Sequence, residues 1–289
     1  MKAGEILHAE NCIGNENETQ LCVKNCDLIL AAGSGQTEKV KLFLENGQID
    51  VNHILDSTDH PNNGHTALTL ASMNGHDDVV ELLLKNEKID VNQRGGIDDG
   101  KKWTALSFAS DQGNRAIVEL ILAKDGVDVN KGDINGWTAL MSAAENGHHD
   151  IVELLLNNGE VDADKGTKKG WTALMSASKY GHHDIVKLLL NNGDIDVNKG
   201  NKNGWTALMT AVNNGYIEIV KLFLNHGEVD VNKGTNDGWT ALMSAKNTDI
   251  AQLILDYEGI ERSTIEQGCN KGITAQVKEL ICQHLRNEL

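Results

Sequence analysis

Aromatic residues are scarce: five Trp, three Tyr and three Phe make up 4% of 289 residues. A core built on aromatic clusters is excluded, and Leu, Ile, Val and Ala must fill it. Proline occurs once, at Pro61. Basic residues are outnumbered, with 26 Lys and Arg against 42 Asp and Glu, for a net charge of −16. Duplex binding needs clustered cations to neutralise phosphate, so a nucleic-acid partner is not expected. An anionic membrane surface is disfavoured for the same reason. A protein partner with a basic or apolar segment fits the charge better. No apolar run approaches the length of a membrane span. The opening "MKAGEILHAENCIGNENETQ" turns polar too early for a signal peptide.

Cysteines number five, Cys12, Cys22, Cys26, Cys269 and Cys282, all toward the two ends. The odd count speaks against a disulfide framework and for thiols in a reducing compartment. Cys22 and Cys26 stand four apart, with Cys12 and His8 nearby. No second pair stands at finger-like spacing, so no metal and no cofactor are expected.

What the chain has in abundance is repetition. Trp103, Trp137, Trp171, Trp205 and Trp239 recur every 34 residues. The phrase "GWTALMSA" begins at Gly136, Gly170 and Gly238, and "GWTALMT" begins at Gly204. Within one period, Thr138 suits a helix N-cap, and Ala139, Leu140, Ala143 and Ala144 form a small-residue face. Gly147 is placed to stop that helix. Asp150 opens a second helix, with Ile151, Val152, Leu154, Leu155 and Leu156 on its apolar side and Gly159 as its expected end. "VDADKGTKKG" reads as an extended connector. Such a small hairpin cannot bury its own apolar face and must stack on neighbours.

The series Thr-Ala-Leu-x-x-Ala, Gly-His, Ile-Val-x-Leu-Leu-Leu, Gly, Asp-Val-Asn resembles the ankyrin repeat from about Leu21 onward. Two departures stand out: Thr-Ala-Leu-Met replaces the family's Thr-Pro-Leu-His, and "NNGEVD" carries one extra residue. The resemblance implies an all-α ankyrin-repeat solenoid of about seven to eight helix-turn-helix units. A polar segment 1–20 would precede one domain, 21–289. Units would start near 25, 64, 102, 136, 170, 204 and 238, with a degenerate C-terminal cap over 261–289. The seventh unit is worn, as an end unit with one wet face can be.

The family usually binds protein partners on a concave side lined by turns and first helices. The resemblance puts all five Trp at the bases of those turns, either packing the turns or offering a binding row. The last positions of the first helices, including Asp111, Glu145, Lys179, Tyr180 and Asn213, change between units while buried positions hardly do. They complete the candidate partner surface. Two turns are longer than the rest, Asn52–Gly64 and Asn92–Lys102, and both are acidic. In similar proteins the Asn of "DVN" (Asn52, Asn92, Asn130, Asn198, Asn232) can be hydroxylated or can bond the turn backbone; Asp164 interrupts the series.

No Ser-His-Asp or Cys-His arrangement can be argued, and "GSG" at Gly33–Gly35 lacks a phosphate loop's Lys. Paired "HHD" at His148 and His182 does not make a metal site, since consecutive helical residues diverge. The expectation is a non-enzymatic, monomeric scaffold or adaptor in the cytoplasm. The alternatives are carbohydrate or small-ligand binding on the Trp row, and a secreted effector delivered into a host cell and acting on host proteins.

Overall fold

The computed structural model describes residues 16–56, 62–96, 102–271 and 274–287. The chain divides into two compact units, Met1–Ser142 and Ala143–Leu289. The first contains α1 (Glu16–Gly33), α2 (Thr37–Glu45), α3 (Ala67–Met73), α4 (Asp77–Leu84), α5 (Ala105–Gln112) and α6 (Arg115–Leu122). The unit boundary falls inside α7 (Ala139–Asn146). The second contains α8 (His149–Leu156), α9 (Ala173–Tyr180), α10 (His183–Leu190), α11 (Ala207–Asn214), α12 (Ile217–Asn225), α13 (Ala241–Ser244), α14 (Thr248–Leu255), α15 (Arg262–Lys271) and α16 (Ala275–Asn287). Among the described residues the fold is all-α, except for a two-residue antiparallel pair, β1 (Arg94–Gly95) and β2 (Trp103–Thr104).

Helices pair and then stack. In the first unit α1, α3 and α5 form one row and α2, α4 and α6 the other; in the second, α9, α11, α13 and α15 run beside α8, α10, α12 and α14. Short apolar stripes thereby share a core. Leu28, Leu70, Leu83 and Ile117 are sealed in the first unit, and Ile151, Met175, Leu189 and Phe223 in the second. Each such side chain contributes roughly 1.5–3 kcal/mol of burial, which no single hairpin could collect alone.

Local chemistry sets the ends. The hydroxyls of Thr66, Thr104, Thr172 and Thr206 accept the backbone N–H three residues on, and Thr138 accepts from Met141 at 3.4 Å. Gly147 follows α7 with φ +80°, and a Cβ there would lie 2.7 Å from the His182 ring. Gly is required both for the left-handed turn and for that approach. The helix after it stops earlier than the sequence suggests. α8 ends at Leu156 with Asn157 as its cap, two residues before Gly159: the Asn157 N–H makes the last bond four residues back, to Glu153, and the Asn158 N–H tightens to Leu155 instead.

Asparagines tie neighbouring units. Asn198 donates its amide to the Glu228 carbonyl and accepts from the Asp230 N–H, both at 2.7 Å. Asn52, Asn92 and Asn232 repeat this two-way bond. Asp164 can only accept: it takes the Asp196 N–H at 3.1 Å and pairs with Lys199 at 3.6 Å. The preceding Asp of each "DVN" caps its own turn, as Asp196 Oδ1 does for the Asn198 N–H.

Two features depart from expectation. α1 begins at Glu16, inside the stretch read as a polar segment. The tips of the two long turns, 57–61 with Pro61 and 97–101, lie outside the described residues. Their bases are ordered: Leu55 and Gly64–His65 close the first by backbone bonds of 2.6 and 2.9 Å, β1–β2 closes the second, and Gly96 donates to Gly64. The cysteines contradict the thiol reading. Cys269 on α15 and Cys282 on α16 form a disulfide across Cα atoms 4.9 Å apart, and Cys22 is also disulfide-bonded. A terminal helix pair with few buried residues has a small core, and a cross-link compensates for that. The cysteine argument for a reducing compartment therefore falls. Cys12 and His8 lie outside the described residues.

Candidate functional site

The repeated "GWTALMSA" is a hydrogen-bond circuit. The residue four before each of the last four Trp, namely Asp133, Thr167, Asn201 and Thr235, donates its N–H to the Trp carbonyl at 2.8–2.9 Å. Its side-chain oxygen accepts the Trp backbone N–H at 2.7–3.0 Å. The turn is thus pinned at its base. The indole Nε1–H of Trp137, Trp171, Trp205 and Trp239 then donates to the hydroxyl five residues on: Ser142, Ser176, Thr210 and Ser244, at 2.9–3.1 Å. The last three hydroxyls pass the chain to the carbonyls of Thr172, Thr206 and Thr240. Each indole is half-buried, anchored to the first helix of its own repeat.

Trp103 differs because Phe108 stands where the hydroxyl stands elsewhere. Its ring meets Phe108 at 5.3 Å, tilted by 51°. One repeat earlier, the Trp position is taken by His65, which is buried, lies 3.3 Å from the Thr69 hydroxyl and faces Phe108 at 5.2 Å. Sequence reasoning did not single out His65. Its place before Thr66 in "GHTALTLA" was the available signal.

The first-helix ends are solvated to different degrees. Asp111, Glu145 and Asn213 are half-buried; Lys179 and Tyr180 are exposed. Asp111 accepts from Gln112 at 3.0 Å. Lys179 Nζ lies 4.6 Å from the Tyr180 ring centre and donates to its hydroxyl at 3.0 Å. Tyr180 also stacks on His182, with centroids 6.4 Å apart. In the second unit Glu145, Lys179, Tyr180 and Asn213 occupy matching places at the ends of α7, α9 and α11. Asp111 belongs to the first unit.

The histidines after each Gly have structural partners. His76 Nε2 meets the Gly33 carbonyl at 3.0 Å, and His182 Nε2 meets the Glu145 carbonyl at 2.8 Å, one repeat back in each case. The hydrogen bond from His183 holds the exposed Asp184 carboxyl below its usual range. Among the described residues, metal-ligating atoms converge in one group: Cys22, Cys26 and His53, within 4.8 Å of one another. Burial, and secondarily Asp27, pushes the Cys26 thiol up; burial lowers His53 against the pull of Asp50 and Asp56. His53 comes from the turn after α2, 27 residues beyond Cys26, which local spacing could not reveal.

Comparison with known proteins agrees with this fold. The family model for ankyrin repeats (3 copies) matches residues 6–95, 28–133, 106–201 and 194–264. The chain belongs to the ankyrin-repeat family. No curated protein matches it. Among solved structures it resembles the human ASB11 ankyrin repeat domain, at 27% identity over 81% of this chain and 98% of that one, with a TM-score of 0.65. An ankyrin repeat domain from Acinetobacter baumannii AYE is 32% identical over 70% of this chain and 97% of its own, with a TM-score of 0.59. The ankyrin repeat domain of Bcl-3, described as a unique member of the IkappaB protein family, shares the fold at 24% identity, over 78% of this chain and 96% of that one, with a TM-score of 0.63. Ankyrin repeats are in general protein–protein interaction modules and typically non-catalytic. No helix among the described residues is long and apolar enough to cross a membrane.

Proposed function

We propose that the protein is a non-enzymatic scaffold or adaptor that binds a protein partner through its turn bases and first-helix ends. In the first unit the surface comprises Trp103, Trp137 and Asp111. In the second it comprises Trp171, Trp205 and Trp239 with Glu145, Lys179, Tyr180 and Asn213. The observation that carries the reading is the repeated indole anchor. It fixes half-buried rings at equivalent places before the first helices, while the far ends of those helices change from repeat to repeat. A constant frame with variable polar positions is the form of a surface that selects among partners. Rings already held by hydrogen bonds lose little freedom on binding, so their contact area is gained at low entropic cost. The acidic balance favours a partner segment that is basic, or apolar where it meets the rings.

The indole N–H groups of Trp137, Trp171, Trp205 and Trp239 are spent inside the repeat, so at these four the ring surface, not the donor, is what a partner would meet. Two triple variants separate the contributions. Trp137→Phe/Trp171→Phe/Trp205→Phe removes the donors but keeps large rings; the Ala triple removes both. The captured partner is expected to survive in the Phe variant and to be lost in the Ala variant, read by pull-down with quantitative mass spectrometry. Equal capture by wild type and the Ala variant would remove the Trp from the site. A fluorescence response to an oligosaccharide, with no protein captured, would support carbohydrate binding instead.

A further inference from the structure

We infer that Cys22, Cys26 and His53 form a reduction-gated site for a thiophilic divalent cation such as Zn²⁺. The two cysteines lie one helical turn apart on α1 and so share a face. His53 reaches them from the turn after α2. Its place is fixed independently of any metal: the Asn25 side chain, on the same helix, accepts the Asp50 N–H at 3.0 Å, and His53 N–H bonds the Asp50 carbonyl at 3.1 Å. The Cys26 Sγ to His53 Nε2 separation is 3.9 Å, and all three donor atoms fall within 4.8 Å. Zinc bonds of about 2.3 Å to sulfur and about 2.0 Å to nitrogen in a tetrahedron put adjacent ligand atoms roughly 3.5–3.8 Å apart. The cluster is therefore close to ligand geometry before any cation arrives, and small rotamer changes complete it. Three protein donors with a fourth position left to water is a coordination set that zinc accepts.

The disulfide at Cys22 supplies the gate. Cys26 is a free, buried thiol, whereas Cys22 has its sulfur committed to another sulfur. A disulfide sulfur is a poor ligand; the thiolate is the ligand. A phosphine attacks the disulfide, the S–S bond breaks, two thiols form, and the phosphine takes oxygen from water to become its oxide. Binding of the cation then replaces the S–H protons of Cys22 and Cys26, which go to solvent, and uses the Nε2 lone pair of His53. Oxidised, the site offers two donors; reduced, it offers three.

The test uses the full chain carrying Cys269→Ser and Cys282→Ser, so that no other described cysteine competes. Oxidised and phosphine-reduced samples are titrated anaerobically with Co²⁺, then with Zn²⁺. The reduced sample is expected to gain a thiolate-to-cobalt band and the visible bands of tetrahedral cobalt, saturating at one ion per chain and erased by Zn²⁺. Cys26→Ser and His53→Ala, each checked for native helicity by circular dichroism, are expected to lose those bands. Equal bands in the oxidised sample would overturn the gate. Absence of bands in the reduced sample, or their persistence in both single variants, would overturn the site.

Discussion

Asn198 shows how one side chain can hold two repeats together. Its amide gives a hydrogen to one backbone group and takes one from another, and both belong to the next turn. Asp164, at the same place one repeat earlier, keeps the acceptor half and gains a partly exposed ion pair. An exposed pair is worth about 0–1 kcal/mol, while a backbone group left unbonded costs about 1–3 kcal/mol. Asn198→Ala should therefore destabilise by roughly 1–3 kcal/mol, and Asp164→Ala by less. Urea unfolding of the two variants checks the ranking. It also gives the "DVN" asparagines a structural task that any hydroxylation would have to leave intact.

Elements in this fold differ mainly in their caps and lengths. α11 spans Ala207–Asn214, and the Thr206 hydroxyl accepts the Met209 N–H at 3.2 Å. α13 spans Ala241–Ser244, and Thr240 makes no side-chain cap bond. Removing a working cap costs about 0.5–2 kcal/mol. Thr206→Ala should lower stability by that amount and Thr240→Ala by clearly less, as thermal melts would show. The sequence made much of this scale legible. Ile151, Leu155 and Thr138 carry their roles in local spacing, whereas Leu154 is only half-buried, and the three residues missing from the seventh repeat foretell the short α13. Periodicity records which face of an element is buried, and nothing more. It could not show the Trp171–Ser176 bond, whose partners are polar and five apart. The Cys22–Cys26–His53 cluster needed the turn after α2 to fold back on α1, and the Cys269–Cys282 bridge needed two helices brought side by side. Gly159 misled because the chain leaves the helix two residues earlier, where the Asn158 N–H bonds Leu155 three residues back.

At the scale of the whole molecule, the proposed basic partner makes a prediction through charge. A net charge of −16 attracts a basic segment before contact is made. Raising ionic strength from about 0.01 M to about 1 M shortens the Debye length from about 30 Å to about 3 Å. The partner's on-rate, followed by stopped flow, should fall steeply across that range while the off-rate changes little. A salt-independent on-rate would point to an apolar partner surface. The most direct measurement of the account is hydrogen–deuterium exchange of the chain with and without its captured partner. Exchange should slow in the turns leading to Trp137, Trp171, Trp205 and Trp239 and at the ends of α7, α9 and α11. Protection confined to the second helices, α8, α10 and α12, would contradict it.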